Sequence, residues 1–246
     1  MREPMSNAAN YGQDAPTVVR NLAAAGALSV SIAVVVRLLD AGPPLSRLAF
    51  LLWPGVAWLA TAVWMIIGSR VVKLRARDRL VRDLGLKGDE RVLDVGCGRG
   101  LLLHGVAKAL TTGRAVGLDL WRSVDQSGND PAVTKQNALA EGTSERIEIL
   151  TGDMTKMELP DTSFDVVVSS WAIHNVPSAG GRSQALREIT RVLKPGGRVL
   201  ILDISPGRAY AKVLRAAGLV DVAVGIDNVA FFIPTWRITA TKPAGT

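Results

Sequence analysis

A single cysteine, Cys97, is present in the chain, which excludes an intrachain disulfide and a cysteine-rich zinc site. A reducing compartment fits that count; a disulfide-stapled secreted scaffold does not. Aromatic residues make up only 5% of the 246 positions, and no internal repeat or low-complexity tract is found. A broad excess of positive charge is missing too, although the net charge is +7. Residues 1–69 carry +1, residues 70–82 carry +5, and residues 83–246 carry +1. The basicity is thus one short cluster, and no nucleic-acid-binding surface is expected. With 48% apolar against 21% charged residues, a folded core is well supplied.

From Leu48 to Gly68 no ionisable side chain occurs across 21 residues. As a helix rising 1.5 Å per residue this is about 31 Å, the hydrocarbon thickness of a bilayer. The stretch reads as a transmembrane helix over 48–68, with Pro54 near its first turns and Trp53, Trp58 and Trp64 along it. A shorter apolar run, Leu22 to Val36, lies between Arg20 and Arg37 and reaches spanning length over 18–39 if those arginines snorkel. A signal peptide is the competing reading of this first run, but no clear A-x-A cleavage site follows it. The connector Asp40 to Arg47 suits a hairpin turn. The expected organisation is an N-terminal tail over 1–17, a membrane hairpin over 18–69, a basic amphipathic helix over 70–88 and a soluble domain over 89–246.

In the basic segment, Arg70, Lys73, Arg75, Arg77, Arg79 and Arg82 flank the second span, which places both termini and the soluble domain on the cytoplasmic side. Val71, Leu74, Val81 and Leu84 share one helical face, so this helix either lies along anionic headgroups or docks on the following domain.

From Asp89 onward, short β-branched runs alternate with helical stretches of 10 to 14 residues, which predicts a doubly wound α/β fold with a mainly parallel sheet. Two strand-like runs close the chain with no helix between them, Asp221 to Ile226 and Thr235 to Lys242. They predict a hairpin carrying one antiparallel edge strand in a seven-stranded sheet. In such sheets ligands bind beyond the carboxyl ends of the strands, where the strand order reverses.

The first such turn is Asp94-Val95-Gly96-Cys97-Gly98-Arg99-Gly100, where glycine allows a tight turn and close approach of a ligand to the backbone. The nicotinamide pattern G-x-G-x-x-G fails here, because Leu101 stands where its third glycine belongs. A P-loop is excluded, since no G-K-[ST] follows, and neither Tyr11 nor Tyr210 has a lysine four residues on.

The turn VLDVGCGRG resembles the first motif of class I S-adenosylmethionine-dependent methyltransferases. Four further stretches agree in order: VGLDLW, LTGDM, FDVVVSSWAIHN and LKPGGRVLILDI. The likeness is to the small-molecule branch near the ubiquinone and menaquinone biosynthesis type, over roughly the last two thirds of the chain. It implies S-adenosylmethionine as cofactor, held by Asp94, Gly96, Cys97, Gly98, Gly100, Asp119, Leu120, Trp121, Asp153, Met154 and Ser170. Asp119 would accept from the ribose hydroxyls, and Asp153 with Met154 would hold the adenine. Asp94 would orient the turn or meet the ammonium, while the turn's amides and the following helix N-terminus suit a carboxylate. Trp121 either packs on the adenine or fills the sheet edge. Cys97 reads as a small tolerated side chain rather than a nucleophile.

For the acceptor, the motif SSWAIHN lacks the Pro-Pro-aromatic element of enzymes that methylate amino groups of nucleic acids and glutamine, and no Pro-Cys pair exists for attack at cytosine C5. His174, at the mouth of the fourth strand, is the candidate general base, its alternative being a hydrogen bond to loop backbone. His104, on the first helix of the domain, reads as structural. Acceptor walls are expected from Trp171 to Arg182, Ser205 to Arg208, and Phe231, Phe232 and Pro234. With no inserted lid, the domain suits a small lipophilic acceptor: a quinone precursor, a lipid amine or an alkyl thiol. A membrane-tethered cofactor-binding or scaffold protein without turnover is the alternative function.

Overall fold

A computed structural model of the chain describes residues 8–13, 15–39, 42, 45–122, 128–228 and 234–245. The chain forms two compact units, one over Gln13–Arg75 and one joining the segment ending at Gly12 with Ala76–Thr246.

In the first unit, α1 (Pro16–Leu38) opens with a proline, where the missing N–H costs nothing, and a 3-10 segment over Leu45–Leu51 leads into α2 (Leu52–Ile67). The two helices run antiparallel and touch where Gly26 faces Gly55: a Cβ on Gly26 would come within 2.9 Å of the Gly55 carbonyl oxygen. Nearby, the Ser29 hydroxyl donates to the Leu51 carbonyl at 2.7 Å. The residues these helices bury are chiefly small (Gly26, Ser29, Ala33, Gly55, Ala62), whereas Leu28, Leu38 and Trp53 are exposed. By length and composition, α1 and the continuous helical stretch Leu48–Leu84 that contains α2 are long and apolar enough to cross a membrane. No breaker stands after Gly68, and a π-helical turn over Gly68–Val72 carries the chain into α3 (Lys73–Leu84).

The second unit begins within α3: alongside 89–246 it takes in residues 76–88 and residues up to Gly12. Leu80 and Leu84 are buried among Val92, Leu103 and Val106, and the Arg198 guanidinium donates to the Leu84 carbonyl at 2.7 Å. Arg237 pairs with Asp83 at 2.7 Å. Of the two roles open to this helix, residues 76–84 thus dock on the domain. Of the predicted face, Leu84 is buried and Val81 packs against the core, joined by Arg77 and Leu80, while Val71 is exposed.

The sheet contains β1 (Arg91–Val95), β2 (Arg114–Asp119), β3 (Ile147–Thr151), β4 (Phe164–Ser170), β5 (Leu193–Asp203), β6 (Val220–Asn228) and β7 (Thr235–Thr241). Its helices are α4 (Leu101–Ala109), α5 (Pro131–Glu141), α6 (Ala179–Val192) and α7 (Gly207–Ala216). The strand order is β3-β2-β1-β4-β5-β7-β6. Within the terminal hairpin, β7 is antiparallel to both β5 and β6 and stands inside, leaving β6 at the edge. Burial explains that placement: Ile238 and Ala240 of β7 are enclosed, whereas Val220 and Ile226 of β6 are exposed. Alternate strand residues feed two cores. Leu93, Val95, Val167 and Ile201 join Leu186, Ile189 and Leu214 on one face, and Val92, Val166, Val168 and Leu200 join α3 and α4 on the other. The order reverses between β1 and β4, which sets the ligand crevice at their carboxyl ends.

Candidate active site

Asp94 lies in β1 just before that crevice, fully buried, and pairs with no basic side chain among the described residues. Burial, reinforced by the nearby Asp119 carboxylate, pushes its pKa up to about 7. The turn after it is dictated by glycine. Gly96 has φ 74°, and a Cβ there would overlap the Ala172 methyl and come within 3.4 Å of the Met154 terminal methyl carbon. Gly100 has φ 82° as N-cap of α4, where a Cβ would meet the His104 ring nitrogen Nε2 at 2.5 Å. The Gly-rich turn, the segment after β3 and the segment after β4 therefore converge on one spot.

The turn's own amides are mostly committed within the domain. Gly96 and Cys97 both donate to the Leu118 carbonyl (2.7 and 3.2 Å), and Gly100 donates to Cys97 at 2.8 Å. Gly98 donates to Asp119 Oδ2 at 2.8 Å. These amides shape the turn, and the N-terminus of α4 is what offers an anion its partial positive charge. Asp119 Oδ1 also accepts from the Trp121 amide at 2.7 Å and from Asn129 Nδ2 at 3.1 Å. The acid that ends β2 thus braces the glycine turn.

The other residues singled out from sequence fall around this crevice with local roles of their own. Leu120 is exposed beyond Asp119. Trp121 has φ 59°, and its indole Nε1 donates to Thr151 Oγ1 at 2.8 Å, fixing the ring at the sheet edge. Asp153 Oδ1 accepts from the Thr155 amide and hydroxyl at 2.7 and 2.8 Å, closing its own turn. Ser170 ends β4, followed by Trp171 at φ 52°. Cys97 is buried against Gly117 with its thiol pKa pushed up by burial, which removes it as a nucleophile. His104 is also enclosed, with Nδ1 at 2.9 Å from Thr143 Oγ1, and burial depresses it to about 4, so it is neutral and structural. Phe231 and Phe232 lie outside the described residues.

His174 follows β4 in a short 3-10 turn, Ile173–Asn175, with its imidazole 24% exposed. Its Nδ1 is 2.8 Å from Asp203 Oδ1, and its amide donates to Asp203 Oδ2 at 3.0 Å. Asp203 ends β5, is fully buried, and accepts further from the Ser205 amide (3.2 Å) and the Tyr210 hydroxyl (3.4 Å). Asp203 carries no signal in the sequence beyond its place at a strand end.

Two more supports have no sequence signal at all. Thr134 Oγ1 of α5 donates to the Gly98 carbonyl (2.8 Å), and Asn137 Nδ2 to the Arg99 carbonyl (2.9 Å). Asn137 also exchanges hydrogen bonds with the Asn10 backbone (2.7 and 3.1 Å), while the buried Tyr11 donates its hydroxyl to Glu141 at 2.9 Å. Residues 10–12 are therefore a strap against the helix that holds the glycine turn.

The residues fit S-adenosylmethionine. A buried carboxyl without a cationic partner awaits an ammonium, glycine backbone lies where side chains would overlap, and an acid closes β2.

Residues 93–201 match the family model described as a methyltransferase domain. Among curated proteins, demethylmenaquinone methyltransferase of Staphylococcus aureus is 32% identical over 130 residues, covering 52% of this chain and 49% of that protein. The chain thus spans about half the length of the curated relatives it matches. Among solved structures, the cyclase SpnF superposes with TM-score 0.56 at 22% identity, covering 70% of this chain and 82% of SpnF. A SAM-dependent methyltransferase from Aquifex aeolicus superposes with TM-score 0.54 at 21% identity, covering 69% and 91%. At these identities the likeness is one of fold.

Proposed function

We propose that this chain, which carries a class I S-adenosylmethionine-dependent methyltransferase domain, is a membrane-anchored enzyme that methylates a small lipophilic acceptor. The observation that carries the reading is the set formed by buried Asp94, the Gly96–Gly100 turn and Asp119 at the point where the strand order reverses. When bound, the cofactor supplies an electrophilic methyl group on a sulfonium. Asp94 would face its ammonium, the N-terminus of α4 its carboxylate, Asp119 its ribose, and Leu120, Trp121, Asp153 and Met154 its adenine. His174 takes the acceptor's proton.

The likeness to demethylmenaquinone methyltransferase supports a quinone precursor as acceptor, with a lipid amine or alkyl thiol in the same lipophilic class. Anchoring is supported by two helices of spanning length whose large apolar side chains point outward. The six basic residues from Arg70 to Arg82 support a cytoplasmic catalytic face. A tether would confine enzyme and bilayer-dissolved acceptor to one thin layer, raising their effective concentration without new contacts.

The test is calorimetry of S-adenosylhomocysteine on the solubilised chain and on Asp119→Ala, alongside transfer of labelled methyl to fractionated membrane lipids and thiols. Charge-assisted hydrogen bonds are worth about 1.5–3 kcal/mol each, so affinity is expected to fall at least about tenfold. Unchanged affinity would remove Asp119 from the cofactor site. The cyclase SpnF shares this fold, which keeps open a second reading, a cofactor-binding protein without methyl transfer. Tight binding with no labelled product from any fraction would favour it.

A further inference from the structure

Four donors converge on the buried Asp203 carboxylate: the His174 ring and amide, the Ser205 amide and the Tyr210 hydroxyl. A carboxylate is an acceptor only, so the Nδ1 facing it must donate. In a neutral imidazole that leaves Nε2 as the unprotonated nitrogen, on a ring that is part exposed. The backbone contact matters as much as the ring contact, because the amide bond to Oδ2 and the ring bond to Oδ1 together fix the rotamer of His174. Two residues earlier, Ala172 abuts Gly96, so the segment that carries His174 packs against the glycine turn.

We infer that Asp203 is a positioning residue that holds His174 as an Nε2 base, and that the acceptor is therefore a compound that carries an acidic O–H or S–H. This rests on the methyltransferase reading above. The acceptor's proton passes to Nε2, forming an imidazolium that faces the Asp203 carboxylate. The electron pair left on oxygen or sulfur, or delocalised from the oxygen of a hydroquinone onto its adjacent ring carbon, forms the new bond to the methyl carbon. In the ring case that carbon's own proton then leaves and the aromatic ring is restored. The pair of the broken carbon–sulfur bond stays on the cofactor sulfur, which becomes a neutral thioether. A tertiary amine or a thioether has no proton to give and makes no use of such a pair.

The chain has two histidines, so nitrogen-15 histidine spectra of the full-length protein in detergent resolve them. At a pH where the ring is neutral, His174 is expected to carry its proton on Nδ1. A proton on Nε2 in the wild-type protein would overturn the positioning role while leaving the methyltransferase reading intact. In kinetics, Asp203→Asn is expected to lower kcat at least about tenfold with S-adenosylhomocysteine affinity unchanged within about threefold. His174→Gln is expected to lower kcat by about 10²–10⁴. The double variant should be no worse than His174→Gln, since the acid acts only through the base. Additive losses would assign Asp203 a separate, structural role. Acceptor class is read by offering a naphthohydroquinone, an alkanethiol, a tertiary alkylamine and a dialkyl sulfide with labelled cofactor. Label on the first two supports the inference, and label only on the last two overturns it. Label on none of them, with cofactor bound, overturns the methyltransferase reading on which it rests.

Discussion

Leu28 in α1 and Leu139 in α5 are almost equally bare, at 63% and 68% exposed, yet they belong to units that treat apolar surface in opposite ways. Around Leu139, α5 turns Thr134, Asn137 and Ala138 inward and leaves a single leucine outside. Around Leu28, α1 exposes Val18, Val34, Val35 and Leu38 as well, and buries glycine, serine and alanine against α2. The α/β unit does the reverse, enclosing Leu103, Phe164, Ile189 and Leu214. Large side chains outside and small ones at the helix contact are how helices pack when the surrounding solvent is itself apolar. An exposed leucine alone means little; a helix that exposes large apolar side chains along its length supports the membrane reading proposed above.

The largest effect that sharpens this contrast is a matched pair of substitutions. Leu28→Arg near the middle of α1 is expected to oppose membrane insertion by about 2.5–3.5 kcal/mol, read as a larger share of protein extracted from membranes by alkaline carbonate. Leu139→Arg, at equal exposure, should change stability by no more than about 0.5 kcal/mol and leave extraction unchanged. Equal behaviour of the two variants would break the contrast and make the hairpin an ordinary soluble surface.

The units also differ in what ionisable groups they bury. The residues buried in α1 and α2 carry no charge, while the α/β unit encloses Asp94, His104 and Asp203. Ligand binding by that unit should therefore depend on pH. Asp94, raised to about 7 in the free protein, holds a proton below that value and must lose it to face the cofactor's ammonium. S-adenosylhomocysteine affinity is thus expected to be about tenfold weaker at pH 6 than at pH 8, and Asp94→Asn should flatten the dependence. A flat wild-type profile would place the ammonium elsewhere.

Features set by local pattern could be read from the chain alone. Strand and helix alternation, the glycine turn and Asp119 each depend on residues within one or two elements, and they stand where the pattern put them. Features made by partners far apart could not. Asp203 gains its meaning from a histidine 29 positions away across two adjacent strands. The inward face of α3 was ambiguous because Arg77 is buried against Glu141, and periodicity counts an arginine as outward. The strap was illegible for the same reason: Tyr11 and Glu141 are 130 positions apart, and nothing in the stretch around Asn10 sets it off from a tail.

That strap supplies the smallest and last test, because it decides where one unit ends and the other begins. Residues 10–12 precede α1 in the chain yet pack with α4 and α5, where Tyr11 is buried and Asn10 pairs with Asn137. A truncation starting at Ser69 would consequently remove part of the α/β unit along with the hairpin, so a point substitution is the cleaner probe. Tyr11→Phe keeps the ring and deletes one part-buried hydrogen bond to Glu141, which retains Lys108 and Arg77 as partners. The expected cost is about 1 kcal/mol, or roughly fivefold faster hydrogen exchange where local opening governs it. It should appear in peptides covering Asn137 to Glu141 and leave Pro16 to Leu38 unchanged. Faster exchange confined to α1 would return the strap to the hairpin and leave Asn137, which holds the Arg99 carbonyl, without its backing from Asn10.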